Sequence, residues 1–117
     1  MTQWKIGDEV YSQPDITCDG CYAEFIVVRE TELARKPKSL DHARSASIPL
    51  AALTEWQSLF DAARLNRGQR VLVHAAAGSV GHFAVQLAKW KGAHVIGTTS
   101  AHNAAFVREL GAGEVID

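Results

Sequence analysis

From Arg70 to Ile116 strand-type and helix-type runs alternate at short intervals, and glycine stands at the first junction between them. That rhythm constrains the fold more than any other feature of the chain. Arg70 to His74 (RVLVH) reads as a buried-type strand, and Ser79 to Lys91 sets Val80, Phe83, Ala84, Leu87 and Ala88 along one helical face. Lys89 and Lys91 complement the helix dipole in the last turn, and Gly92 is placed to end it. His94 to Thr98 is a second strand, Asn103 to Leu110 a short helix stopped by Gly111, and Glu114 to Ile116 starts a third strand. Strand, helix, strand, helix, strand is the first half of a doubly wound parallel sheet, the unit that binds one mononucleotide of a dinucleotide.

At the first junction the chain reads Val73-His74-Ala75-Ala76-Ala77-Gly78-Ser79-Val80-Gly81. Laid on the dinucleotide pattern G-x-G-x-x-G it gives Ala76, Gly78 and Gly81, with alanine in the first glycine position. Gly78 leaves backbone open to a pyrophosphate, Gly81 lets the helix lie close to the sheet, and the helix N-terminus favours the phosphate charge. About 20 residues on, a ribose with a free 2′-hydroxyl is usually met by Asp or Glu. Residues 97–103 (GTTSAHN) carry no carboxylate, while Ser100, His102 and Asn103 can donate hydrogen bonds to a 2′-phosphate. This reading selects NADP(H) over NAD(H). No Arg or Lys stands in that stretch, and a plain polar loop with a helix cap remains the alternative.

Before Ser39 short β-type runs are separated by turns: Glu9 to Tyr11 after Gly7-Asp8, then Tyr22 to Val28 after Asp19-Gly20. Phe25, Ile26, Val27 and Val28 suit a strand with little solvent on either face. From Ser39 to about Arg64 the pattern is helical, with Pro49 opening a second helix. That helix is apolar over a wide arc (Leu50, Leu53, Phe60 beside Ala52, Trp56, Leu59, Ala63), as expected of one sandwiched between two layers. Asn66, Arg67 and Gly68 should stop it. The expected division is 1–40 a partial β segment, 41–67 connecting helices, and 68–117 the first half of the nucleotide-binding sheet.

The chain has 117 residues and a formal net charge of -1, which removes the electrostatic case for nucleic acid or an anionic membrane surface. No apolar run approaches the ~18 residues that span a bilayer, and MTQWKIGDEV is not a signal peptide. Two cysteines make no disulfide framework, so a reducing, cytoplasmic setting is expected. Cys18-Asp19-Gly20-Cys21 has the C-x-x-C spacing, but no second ligand pair accompanies it and it precedes a strand rather than opening a helix. The five histidines are scattered without metal-ligand spacing. His74 ends the first strand within reach of a cofactor, although a histidine there more often hydrogen-bonds locally.

On these residues the chain resembles the medium-chain dehydrogenase/reductase superfamily, in its zinc-independent quinone-reductase branch. The matching stretches are GDEVY (7–11), DG.YAEF (19–25), IPLAALTEWQSLF (48–60), GQRVLVHAAAGSVGHFAVQLAKWKGAHVIGTTS (68–100) and ELGAGEVID (109–117). The resemblance implies a GroES-like segment followed by the first half of a Rossmann domain. It further implies NADPH as cofactor, no zinc, and a small quinone or α,β-unsaturated carbonyl as hydride acceptor. Phosphate binding is carried onto Gly78, Ser79, Val80 and Gly81, 2′-phosphate contacts onto Ser100 and Asn103, and a contact near the nicotinamide onto Thr54. Thr98 completes the expected cofactor-binding set; no residue is singled out as catalytic. Family members have substrate-domain strands ahead of the position of Met1 and Rossmann strands beyond that of Asp117, so activity of the isolated chain is doubtful. The competing reading is a non-catalytic nucleotide-binding or self-associating module. Either way a homo-oligomer is expected, through the exposed apolar strand 70–74 or the 49–64 helix.

Overall fold

The computed structural model describes residues 3–17 and 20–117. Cys18 and Asp19 lie outside them, and with them the Asp19-Gly20 turn and the Cys18 to Cys21 spacing; Cys21 itself is an exposed free thiol. The chain divides into two compact units, Met1–Leu50 and Ala51–Asp117.

In the first unit β1 (Val10–Ser12) pairs antiparallel with β2 (Leu33–Arg35), Tyr11 standing opposite Ala34. The turn before β1 needs Gly7, whose φ is +94°, and closes with the Asp8 amide donating to Lys5 O at 3.0 Å. A 3-10 turn at Glu30–Glu32 leads into β2, where Ser12 Oγ donates to Glu32 O at 2.7 Å. Leu-Ala-Arg carries no pattern that marks β2 in advance. The expected strand from Tyr22 to Val28 does not form; the segment is irregular, with Tyr22, Phe25 and Val27 fully exposed. Apolar residues become a strand only beside a ladder partner, and no described segment supplies one. Buried Lys36 donates from Nζ to Leu40 O and to Pro37 O (3.2 Å), with Glu9 at 3.5 Å, so its charge is compensated. Helix α1 (His42–Ala46) starts at Asp41, whose Oδ1 accepts the Arg44 amide at 2.7 Å.

Helix α2 (Pro49–Trp56) opens at its proline as expected and runs into a π-helical turn, Gln57–Ala62, closed by the Ala63 amide on Ser58 O at 3.0 Å. The wider turn changes the helix's face after Trp56; Leu59 is buried, while Leu53 and Trp56 before it are each 44% exposed. The chain leaves it through Arg64, at φ +51°, ahead of the expected stop at residues 66–68.

The second unit is a parallel sheet in the order β3-β4-β5, from β3 (Arg70–Val73), β4 (His94–Thr98) and β5 (Glu114–Ile116). Helix α3 (Gly81–Lys91) crosses from β3 to β4, and a 3-10 turn followed by α4 (Ala104–Glu109) crosses from β4 to β5. Gly92 ends α3 at φ +84° with its amide on Ala88 and Lys89 carbonyls. Val73, Val95, Ala84, Val85, Ala88 and Val107 are the centre of the core, each valine contributing roughly 1.5–2 kcal/mol by burial. At the start of the strands Glu114 accepts from His94 Nε2 at 2.8 Å and faces Arg70 at 3.4 Å, which ties β3, β4 and β5 together. The His94 hydrogen bond holds the Glu114 carboxyl below the usual glutamate range.

Candidate functional site: the turn between β3 and α3

At the other end of the sheet the chain leaves β3 at Val73 and turns through Ala75, whose φ of +50° is rare for a residue with a Cβ. The Ala75 carbonyl then accepts the Gly78 amide at 2.8 Å. A Cβ at Gly78 would lie 3.1 Å from that carbonyl oxygen, and one at Gly81 would collide with it and stand 2.9 Å from Ala76 Cα. Gly81 is therefore required by the turn's own packing, and a side chain at Gly78 would sit tight against it. Ala76, in the first glycine position of the pattern, is fully buried, and a Cβ built on Gly97 of β4 would come within 2.9 Å of the Ala76 methyl. Room that a glycine at 76 would leave on the turn is supplied by the glycine facing it on the strand.

Helix α3 starts without a side-chain cap, and its ladder begins with the His82 amide on Gly78 O at 3.0 Å. The amides of Ser79, Val80 and Gly81 precede that ladder, so an eleven-residue helix presents its positive end at the turn. Two cavities open there. One, of about 370 Å³, is lined by Gly78, Ser79, Val80 and Gly81 on one side and by Glu55 and Val71 to His74 on the other. The second, of about 760 Å³, takes in Gly78, Thr98, Thr99, Ser100, Asn103 and Asp117. They share His74, Ala75 and Gly78.

Of the residues expected from sequence, Gly78, Ser79, Val80 and Gly81 thus line the first cavity, and Thr98, Ser100 and Asn103 the second. Thr54 is on α2 but is not among the lining residues of either; its neighbour Glu55 is. Burial raises the Glu55 carboxyl above the usual glutamate range. Sequence reasoning missed Glu55 and also Asp117. A carboxylate sought at the end of β4 is absent there, yet one arrives from the end of β5 because that strand lies beside β4 in the sheet. Only the strand order could have signalled it. Among the described residues no three His, Cys, Asp or Glu side chains could hold a metal ion, and no helix is long and apolar enough to cross a membrane.

A parallel β-α-β-α-β unit with a glycine turn and an uncapped helix at the carboxyl ends of its strands defines the nucleotide-binding half of a Rossmann-type sheet. The chain is 42% identical over 118 residues to the mitochondrial NAD(P)H oxidoreductase RTN4IP1 of Homo sapiens, covering 97% of this chain and 30% of that protein. It is 41% identical over 122 residues to a chloroplast envelope quinone oxidoreductase homolog of Arabidopsis thaliana, covering all of this chain and 37% of the relative. Among solved structures, the quinone oxidoreductase of Coxiella burnetii matches with TM-score 0.89 and 40% identity over 98% of this chain and 36% of its own. An alcohol dehydrogenase superfamily protein of Novosphingobium aromaticivorans matches with TM-score 0.94 and 34% identity, over 100% and 36% respectively. No family model matches the chain. Its homologues are NAD(P)H and quinone oxidoreductases of the medium-chain dehydrogenase/reductase superfamily, and its α/β fold fits theirs, the parallel sheet falling in the Rossmann half. The chain spans about a third of the length of these relatives.

Proposed function

We propose that this chain carries the dinucleotide-phosphate site of an NADPH-dependent, zinc-independent reductase of small quinones or α,β-unsaturated carbonyls. The observation that carries the reading is the uncapped N-terminus of α3 beside two glycines, opening on two cavities that meet at His74, Ala75 and Gly78. When bound, NADPH would supply a hydride to the acceptor carbon. The chain's own part is to bind and orient. Amides of Ser79, Val80 and Gly81 receive phosphate oxygens, Gly78 leaves space for them, and Ser100 and Asn103, with Thr98 beside them, meet the ribose end. For Thr54 we keep the contact near the nicotinamide. The preference for NADPH rests on the donors Ser100 and Asn103, with Asp117 acting against it, since a carboxylate repels a 2′-phosphate.

The test is a fluorescence titration with NADPH followed by an oxidation assay with a small quinone. Binding and turnover support the reading. Absence of binding removes it. Binding without turnover selects the second reading, a nucleotide-binding module that self-associates. The edge of β3 favours that reading: among the described residues the strand has a sheet neighbour on one side, β4, and its Leu72 is 50% exposed.

A further inference from the structure

We propose that the Thr98 hydroxyl fixes His74 as the Nε2–H tautomer and so makes this imidazole a hydrogen-bond donor to an anionic oxygen of the dinucleotide. The ligand half rests on the function proposed above; the tautomer does not. Thr98 Oγ1 lies 3.3 Å from the Ala75 amide nitrogen and 3.3 Å from His74 Nδ1. The amide can only donate, so it takes one lone pair of the hydroxyl oxygen and leaves the hydroxyl its own proton to place. A hydroxyl that accepts an N–H is polarised into a stronger donor. The carbonyl of Thr98 is engaged separately, by the Ala76 amide at 2.9 Å. The oxygen's second lone pair could also accept an Nδ1–H, with the hydroxyl proton turned to solvent; in the arrangement proposed the hydroxyl proton goes to His74 Nδ1, which is then bare, and the ring proton sits on Nε2.

His74 is exposed and lines both cavities, at the point where they meet. With Nδ1 engaged, Nε2 is the nitrogen left for a ligand. The linings of the two cavities contain Glu55 and Asp117 but no lysine or arginine, so within these linings the groups that can donate to a phosphate are amides, hydroxyls and this ring. The same Thr98 hydroxyl pins the amide of left-handed Ala75. One side chain of β4 thus sets both the path of the glycine turn and the donor beside it.

The tautomer is read from ring-nitrogen NMR of the full chain, without ligand, at a pH where the imidazole is neutral. Wild type and Thr98→Ser should show a bare Nδ1 and a protonated Nε2, and Thr98→Val a mixture. A proton on Nδ1 in the wild type, or a Thr98→Val ring indistinguishable from it, overturns the relay. If Thr98→Val does not fold, the wild-type spectrum still decides. The ligand half is read by titrating NADPH. His74→Phe should weaken binding roughly five- to tenfold, the scale of one lost hydrogen bond, and His74→Gln should recover most of it. Equal affinity of wild type and His74→Phe overturns the donor role. A wild type that binds no NADPH overturns that role together with the proposed function, while the ring spectrum alone judges the relay.

Discussion

Gly81 is the residue whose replacement separates turn geometry from chemistry most clearly. Its Cβ would meet the Ala75 carbonyl oxygen and Ala76 Cα, both backbone atoms that no rotamer change can move aside. Gly81→Ala is expected to cost about 1–3 kcal/mol of stability by overpacking and to lose dinucleotide binding, measured by chemical denaturation and by titration. Glu55 gives a prediction of the opposite kind. Burial raises its carboxyl, so the folded chain holds that proton more tightly than the unfolded one. Stability therefore falls as pH rises from the usual glutamate value through the raised one, and stays lowered above it. Glu55→Gln should raise the denaturant midpoint at neutral pH and leave it almost unchanged at about pH 2.5, where both states are protonated. At this scale the glycines of the turn were legible, because a local backbone demand leaves a mark on residue type. Glu55 and Asp117 were not, since a carboxylate on a helix or at a strand end looks like any solvated one until its neighbours are known.

The elements of the second unit follow their sequence signals closely. Residues 94–98 and 114–116 form strands where expected, and α3 ends at Gly92. A parallel strand flanked by crossover helices is specified by its own apolar run and by nearby turns. The first unit shows the contrary. β2 is three residues without a signal, held by its ladder to β1, and the apolar run 25–28 that looked most like a strand is irregular. Pairing there is long-range, and composition cannot report it. The π-helical turn after α2 was equally invisible, because one wider turn changes a helix's faces without changing its residue types. β3 raises the question of association. Its exposed edge and half-exposed Leu72 are expected to draw two copies together, and Leu72→Lys should shift the chain toward monomer in light scattering. A clean wild-type monomer at micromolar concentration would count against this.

For the molecule as a whole the order β3-β4-β5 matters most, because it gathers the ends of three strands around one cavity. It places Asp117 with Ser100 and Asn103 in one lining; on the function proposed above, cofactor preference becomes a contest between one carboxylate and a set of neutral donors. Asp117→Asn should raise affinity for NADPH relative to NADH, compared by parallel titrations; an unchanged ratio would remove Asp117 from the contest. The central claim is that the start of α3 receives the dinucleotide phosphates, and amide NMR of the full chain during NADPH addition tests it most directly. Saturable shifts concentrated at Ser79, Val80 and Gly81, with smaller ones at Thr98 to Asn103, are expected. Binding that leaves the amides of residues 78–81 unmoved, or no binding at all, would contradict it.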